Sequence, residues 1–131
     1  MDRVIKRFIV ASCGSALWAL ATGAQAELAD IEWAAGGVAA REFQVAPGKF
    51  AEWCGRLARG EKVQWKFEAA APLNFNVHYH EGKEVRFPAK QDGVTQADGT
   101  LDVALDQDYC WMWTNKSSSA VALKARLQKG R

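Results

Sequence analysis

The sequence has no lasting surplus of either charge. Its 17 Lys and Arg side chains face 15 Asp and Glu. The small excess sits at the start: setting aside residues 1–26, with Arg3, Lys6, Arg7 and Asp2, leaves 14 of each sign. A nucleic-acid-binding face needs a basic excess, so that partner class is excluded. Catalytic signatures are missing too. There is no Ser-His-Asp order with a nucleophile elbow, no phosphate-binding glycine loop and no HExxH. Asp102, Asp106 and Asp108 cluster beside a turn, where solvation accounts for them. The expectation is a protein without enzymatic activity. No window offers an amphipathic helix of useful length, and neither an internal repeat nor a second domain is visible. What remains is ordinary globular material: 131 residues, 49% hydrophobic and 24% charged, enough for one domain.

Long apolar runs are also scarce. The one present, Phe8–Ala21, follows the basic Met1–Arg7 and precedes a small-x-small site, Ala24-Gln25-Ala26. This is the pattern of a secretory signal peptide over residues 1–26, and the run is short of the roughly 20 residues of a membrane span. Export to a Gram-negative periplasm, with a mature chain from Glu27 and no transmembrane segment, is the expectation. The rival is a lipobox, Val10-Ala11-Ser12-Cys13, which would make the chain a lipoprotein through Cys13; its apolar core would be only five residues, Phe8–Ser12.

Cysteine is sparse, and export makes the count even. Cys13 leaves with the signal, and Cys54 and Cys110 remain. In an oxidising compartment such a pair is expected to form a disulfide. Closing residues 54–110 is worth roughly 4 kcal/mol in the chain-entropy view. The alternative is two free thiols acting as metal ligands.

The mature chain alternates with a period of two. Val63, Trp65 and Phe67 share one face, and Leu73–His80 alternates without error over eight residues. Leu101, Val103 and Leu105 repeat the pattern, as do Val121, Leu123, Ala125 and Leu127. Such alternation marks half-buried antiparallel strands. Turn signals at Pro47-Gly48, Arg59-Gly60, Ala71-Pro72, Glu81-Gly82, Asp98-Gly99 and Asn115-Lys116-Ser117 separate them. The expected fold is all-β: an antiparallel β-sandwich of about eight strands, near 41–46, 50–57, 61–69, 73–81, 84–88, 100–106, 108–115 and 119–128. Residues 27–40 read as a loose lead-in to a domain spanning 41–131.

Three motifs occur in order: Glu52-Trp53-Cys54 before Gly60-Glu61-Lys62-Val63, then Leu73–Tyr79, then Tyr109-Cys110-Trp111-Met112-Trp113-Thr114-Asn115. Over residues 41–128 the chain resembles a GOLD domain, the β-sandwich of p24 (emp24/gp25L) cargo proteins and some Sec14-like lipid-transfer proteins. In that family a cysteine precedes a Gly-x-x-Val strand, and a later strand runs Tyr-x-aromatic-x-aromatic-x-Asn before a serine. Tyr109, Trp111, Trp113, Asn115 and Ser117 or Ser118 occupy those places. The family's second cysteine usually falls where Met112 stands. A shift of two keeps Cys110 on the same strand face, so a bridge is compatible with an altered register. The family's coiled coil, transmembrane helix and sorting tail are not read in this sequence, and the cargo role is not expected to carry over. The resemblance implies a protein- or lipid-binding sandwich in the cell envelope, without catalytic activity or a required cofactor.

Two sets of side chains suggest a site. His78 and His80, at i and i+2, project from one strand face roughly 7 Å apart, beside Asn74 and Asn76. With a third ligand, paired imidazoles could hold Cu(II), Ni(II) or Zn(II); a solvated polar face with two incidental histidines is the preferred reading of the pair. Glu81 follows at the turn on the opposite side of the alternation. Cys110 and Met112 could join a soft site if the cysteines were reduced. The aromatics Trp53, Tyr109, Trp111 and Trp113 are read either as core or as a binding platform. Buried indoles need a partner for their N–H, which favours some of them at an edge or groove. Asn115-Lys116-Ser117 also fits the N-glycosylation sequon of a eukaryotic secretory protein.

Overall fold

Alternating apolar residues force strands here because each must turn one face inward, and the backbone groups are then satisfied only by pairing with neighbours. The computed structural model describes residues 25–130 and has seven strands. They are β1 (Glu27–Asp30), β2 (Val38–Val45), β3 (Phe50–Leu57), β4 (Lys62–Glu81), β5 (Glu84–Asp102), β6 (Gln107–Thr114) and β7 (Val121–Gly130). No helix occurs among the described residues, so none there is long and apolar enough to cross a membrane. The expected signal segment and Cys13 lie outside the described residues, apart from Gln25 and Ala26.

The strands form one sheet in the order β1-β3-β6-β4-β7-β2, with β5 paired to β4. All pairings are antiparallel except β1 with β3. The 20-residue β4 joins two halves. Residues 62–69 pair with β7, and residues 74–78 pair with β6. Between them the strand changes neighbours, and its register with β5 shifts between Glu68 and Leu73. Pro72 falls in this gap, where no ladder needs an N–H from it. The halves curl toward each other until Phe43 of β2 meets Trp53 of β3, ring centroids 5.8 Å apart.

This corrects the expected sandwich of eight strands to a nearly barrel-like sheet of seven. The segments expected at 61–69 and 73–81 are one strand, with its register shift falling across Ala71-Pro72. Those expected at 84–88 and 100–106 are the two ends of β5. Residues 27–40 are not a loose lead-in: β1 lies against β3, and β2 begins at Val38.

The concave side holds the core. Phe67 and Phe75 of β4, Phe43 of β2 and Trp113 of β6 interlock with centroids 4.7–5.7 Å apart. Trp53, Tyr109, Trp111 and Trp113 are all buried. None is therefore a surface platform, which corrects that reading of these four residues. The edge or groove expected for buried indoles is not used either: Nε1 of Trp111 and of Trp113 has no hydrogen-bond partner.

Candidate functional site

Because Trp53, Trp111 and Val77 point into the core, their chain neighbours point out. Strand register then fixes which outward side chains meet. Leu28, Glu52, Met112, Asn76 and Lys90 form one row across β1, β3, β6, β4 and β5. Asp30, Cys54, Cys110 and His78 form the next. Cys54 and Cys110 are direct partners in the β3–β6 ladder and form the disulfide, with Cα atoms 4.1 Å apart. The expected pairing is present.

His78 sits at the centre of this face, although it was expected on a solvated surface. It is 5% exposed. Its Nδ1 lies 2.7 Å from Asn76 Oδ1 and its Nε2 3.2 Å from Glu52 Oε1. Burial pushes its pKa below the ordinary 6.5. The Glu52 carboxylate pulls the other way, and His80 adds to the lowering. His80 is exposed, with its ring centroid 5.4 Å from that of His78 and the two planes nearly perpendicular at 83°. The two histidines therefore share a face as expected, but in different environments.

Glu52 is the residue that sequence reading missed. Donor atoms of Glu52, His78 and Cys110 lie within 4.8 Å of one another. The Cys110 sulfur is committed to the disulfide, so the donors this cluster can offer a cation are a carboxylate and an imidazole. The signal lay in the sequence: Glu52 is two residues from Cys54 and so shares its face. Placing it beside His78 required knowing that β6 lies between β3 and β4. Glu81 does not join the histidines; its carboxylate approaches Arg86 at 4.0 Å.

Three large apolar side chains stand exposed on the flanks of the face, beside the charged Asp30 and Lys90. Leu28 is 70% exposed, Phe87 50% and Val85 40%. Val85 is the register partner of His80, and the Phe87 ring centroid lies 6.1 Å from that of His78. Lys90 Nζ sits 5.4 Å over the Phe87 ring. Elsewhere an open groove of about 580 Å³ is lined by Glu27, Glu42, Phe43, Glu68 and Lys124, among others.

No protein-family model matches the chain, and no curated protein matches it in sequence. Solved structures do share its fold. The periplasmic inhibitor of g-type lysozyme, PliG, from Aeromonas hydrophila superposes with a TM-score of 0.65 at 14% identity, covering 81% of this chain and 98% of the inhibitor. PliG from Salmonella Typhimurium gives 0.56 at 10%, covering 79% and 99%. The pre-peptidase C-terminal domain of a Bacillus anthracis collagenase gives 0.58 at 7%, covering 79% and 95%. At these identities the likeness is one of fold. The β-rich character read from the sequence agrees with these neighbours, whereas a GOLD-like sandwich is not confirmed. A lysozyme inhibitor and a C-terminal domain of a collagenase share this architecture, so function has to be argued from the surface.

Proposed function

We propose that this is an exported, non-catalytic binding protein of the cell envelope. It seats the outer face of β1, β3, β6, β4 and β5 on a protein partner, and a g-type lysozyme is the partner class to try first. The observation that carries this reading is the set of uncovered apolar side chains, Leu28, Val85 and Phe87, around a buried polar centre on one face. Protein interfaces concentrate their energy in a few aromatic and aliphatic anchors, and Phe87 under Lys90 is the natural anchor here. The fold shared with periplasmic lysozyme inhibitors supports a protein partner and an envelope location. A lipid is less well served, because the 580 Å³ groove is open and charged at Glu27, Glu42, Glu68 and Lys124, whereas an acyl chain needs an enclosed apolar cavity.

The test is titration of the purified protein with g-type lysozyme, read as heat and as loss of cell-wall lysis. The expected result is a 1:1 complex that inhibits, weakened about 30-fold or more by Phe87→Asp, as for an interface anchor. No complex at about 10 μM, a free energy near −7 kcal/mol, sinks this partner class.

A further inference from the structure

We propose that Glu52, His78 and His80 form a binding site for a transition-metal dication, Zn(II) or Cu(II), at the centre of the outer face. The argument begins with a count of hydrogens. His78 Nδ1 faces the Asn76 amide oxygen at 2.7 Å, and Nε2 faces a Glu52 carboxylate oxygen at 3.2 Å. Both neighbours are acceptors, and a neutral imidazole has one N–H to give. Donating Nδ1–H to Asn76 leaves the Nε2 lone pair aimed at a carboxylate, an arrangement a cation between them would stabilise.

The spacing suits one. Two donors bound tetrahedrally to zinc at about 2.0–2.1 Å lie about 3.3 Å apart, close to the 3.2 Å here. The Nδ1 contact is also the outer-sphere hydrogen bond that commonly fixes a ligating histidine with Nε2 toward the metal. His80 would supply the third ligand from the same strand face; its exposed ring, 5.4 Å from that of His78, lies outside the present donor cluster and would turn toward the site on binding. Imidazole nitrogens with one carboxylate suit Zn(II) and Cu(II) over calcium or magnesium, which prefer all-oxygen sites. The remaining position is left to water.

An arrangement without metal also satisfies His78: Asn76 turned end for end would donate to Nδ1, and Nε2–H would bond to Glu52. Glu52→Gln separates the two, because glutamine still accepts that hydrogen bond but carries no charge. The oxidised protein, with Cys54–Cys110 intact, is titrated with Zn(II) and with Cu(II) by calorimetry, with circular dichroism confirming that each variant is folded. The expected result is one ion per chain with Kd below about 10 μM, weakened about tenfold or more by Glu52→Gln and separately by His80→Ala, and lost in His78→Asn. The last variant touches a buried side chain, so the first two decide. No saturable uptake below about 100 μM, or uptake that either of those two variants leaves unchanged, overturns the site. Lysozyme titration has its own readout, so failure of one proposal leaves the other standing.

Discussion

Asn115 shows how a side chain marked by sequence motifs can serve the fold itself. In sequence it opened a glycosylation sequon and matched a family motif. In the structure it is fully buried, and its amide is saturated. Nδ2 donates to Val45 O at 2.9 Å and Ser119 O at 2.7 Å, while Oδ1 accepts from Ser117 N and Ser117 Oγ. It pins the turn after β6 to the end of β2, and its nitrogen is out of reach of a glycosylating enzyme in the folded protein. Asn115→Asp would turn a carboxylate oxygen on two backbone carbonyls. A loss of about 3 kcal/mol is expected in urea unfolding, and a loss below about 0.5 kcal/mol would contradict the role. The histidines follow the same logic. Their shared face was legible from the period of two. The burial of His78 was not, because it depends on Glu52, which β3 brings from a distant part of the sequence, as well as on Phe87 across the β4–β5 hairpin.

At the scale of elements, alternation located the strand interiors well and misplaced their ends. Ala71-Pro72 read as a turn because proline removes a ladder donor. A strand that changes partners tolerates this at the point of change, and β4 does so between Ala69 and Asn74. The middle of β5 was invisible for another reason. Residues 89–99 are largely exposed, polar and glycine-containing on an edge of the sheet, and only Ala89, Val94 and Ala97 pack against the core, too few and too small to impose a visible alternation. One residue there is nevertheless tightly constrained. Gly99 is the register partner of Trp65, and a Cβ on it would come within 2.5 Å of the indole. The ring has no easy retreat, being packed 4.9 Å from Phe75. Gly99→Ala is expected to cost about 1–3 kcal/mol by chemical denaturation, although alanine suits strand geometry better than glycine elsewhere.

Across the whole molecule, the all-β class and the disulfide partners were legible, because both follow from local pattern and parity. The curl of the sheet was not, since it depends on β4 pairing with β7 and then β6. The bridge ties β3 to β6 across a sequence separation of 56. Either Cys54→Ala or Cys110→Ala opens it, and each is expected to lower stability by roughly 4 kcal/mol. Alkylation and mass spectrometry of the native protein should find neither sulfur free; two modified thiols at these positions would falsify the bridge.

The central claim is that the outer face around His78 is the working surface. Hydrogen–deuterium exchange on the protein alone and with saturating g-type lysozyme tests it most directly. Protection concentrated in residues 84–91 at the start of β5 and around Leu28 in β1 is the predicted result. Protection confined instead to the groove near Glu42, Glu68 and Lys124, or no protection anywhere, would contradict it.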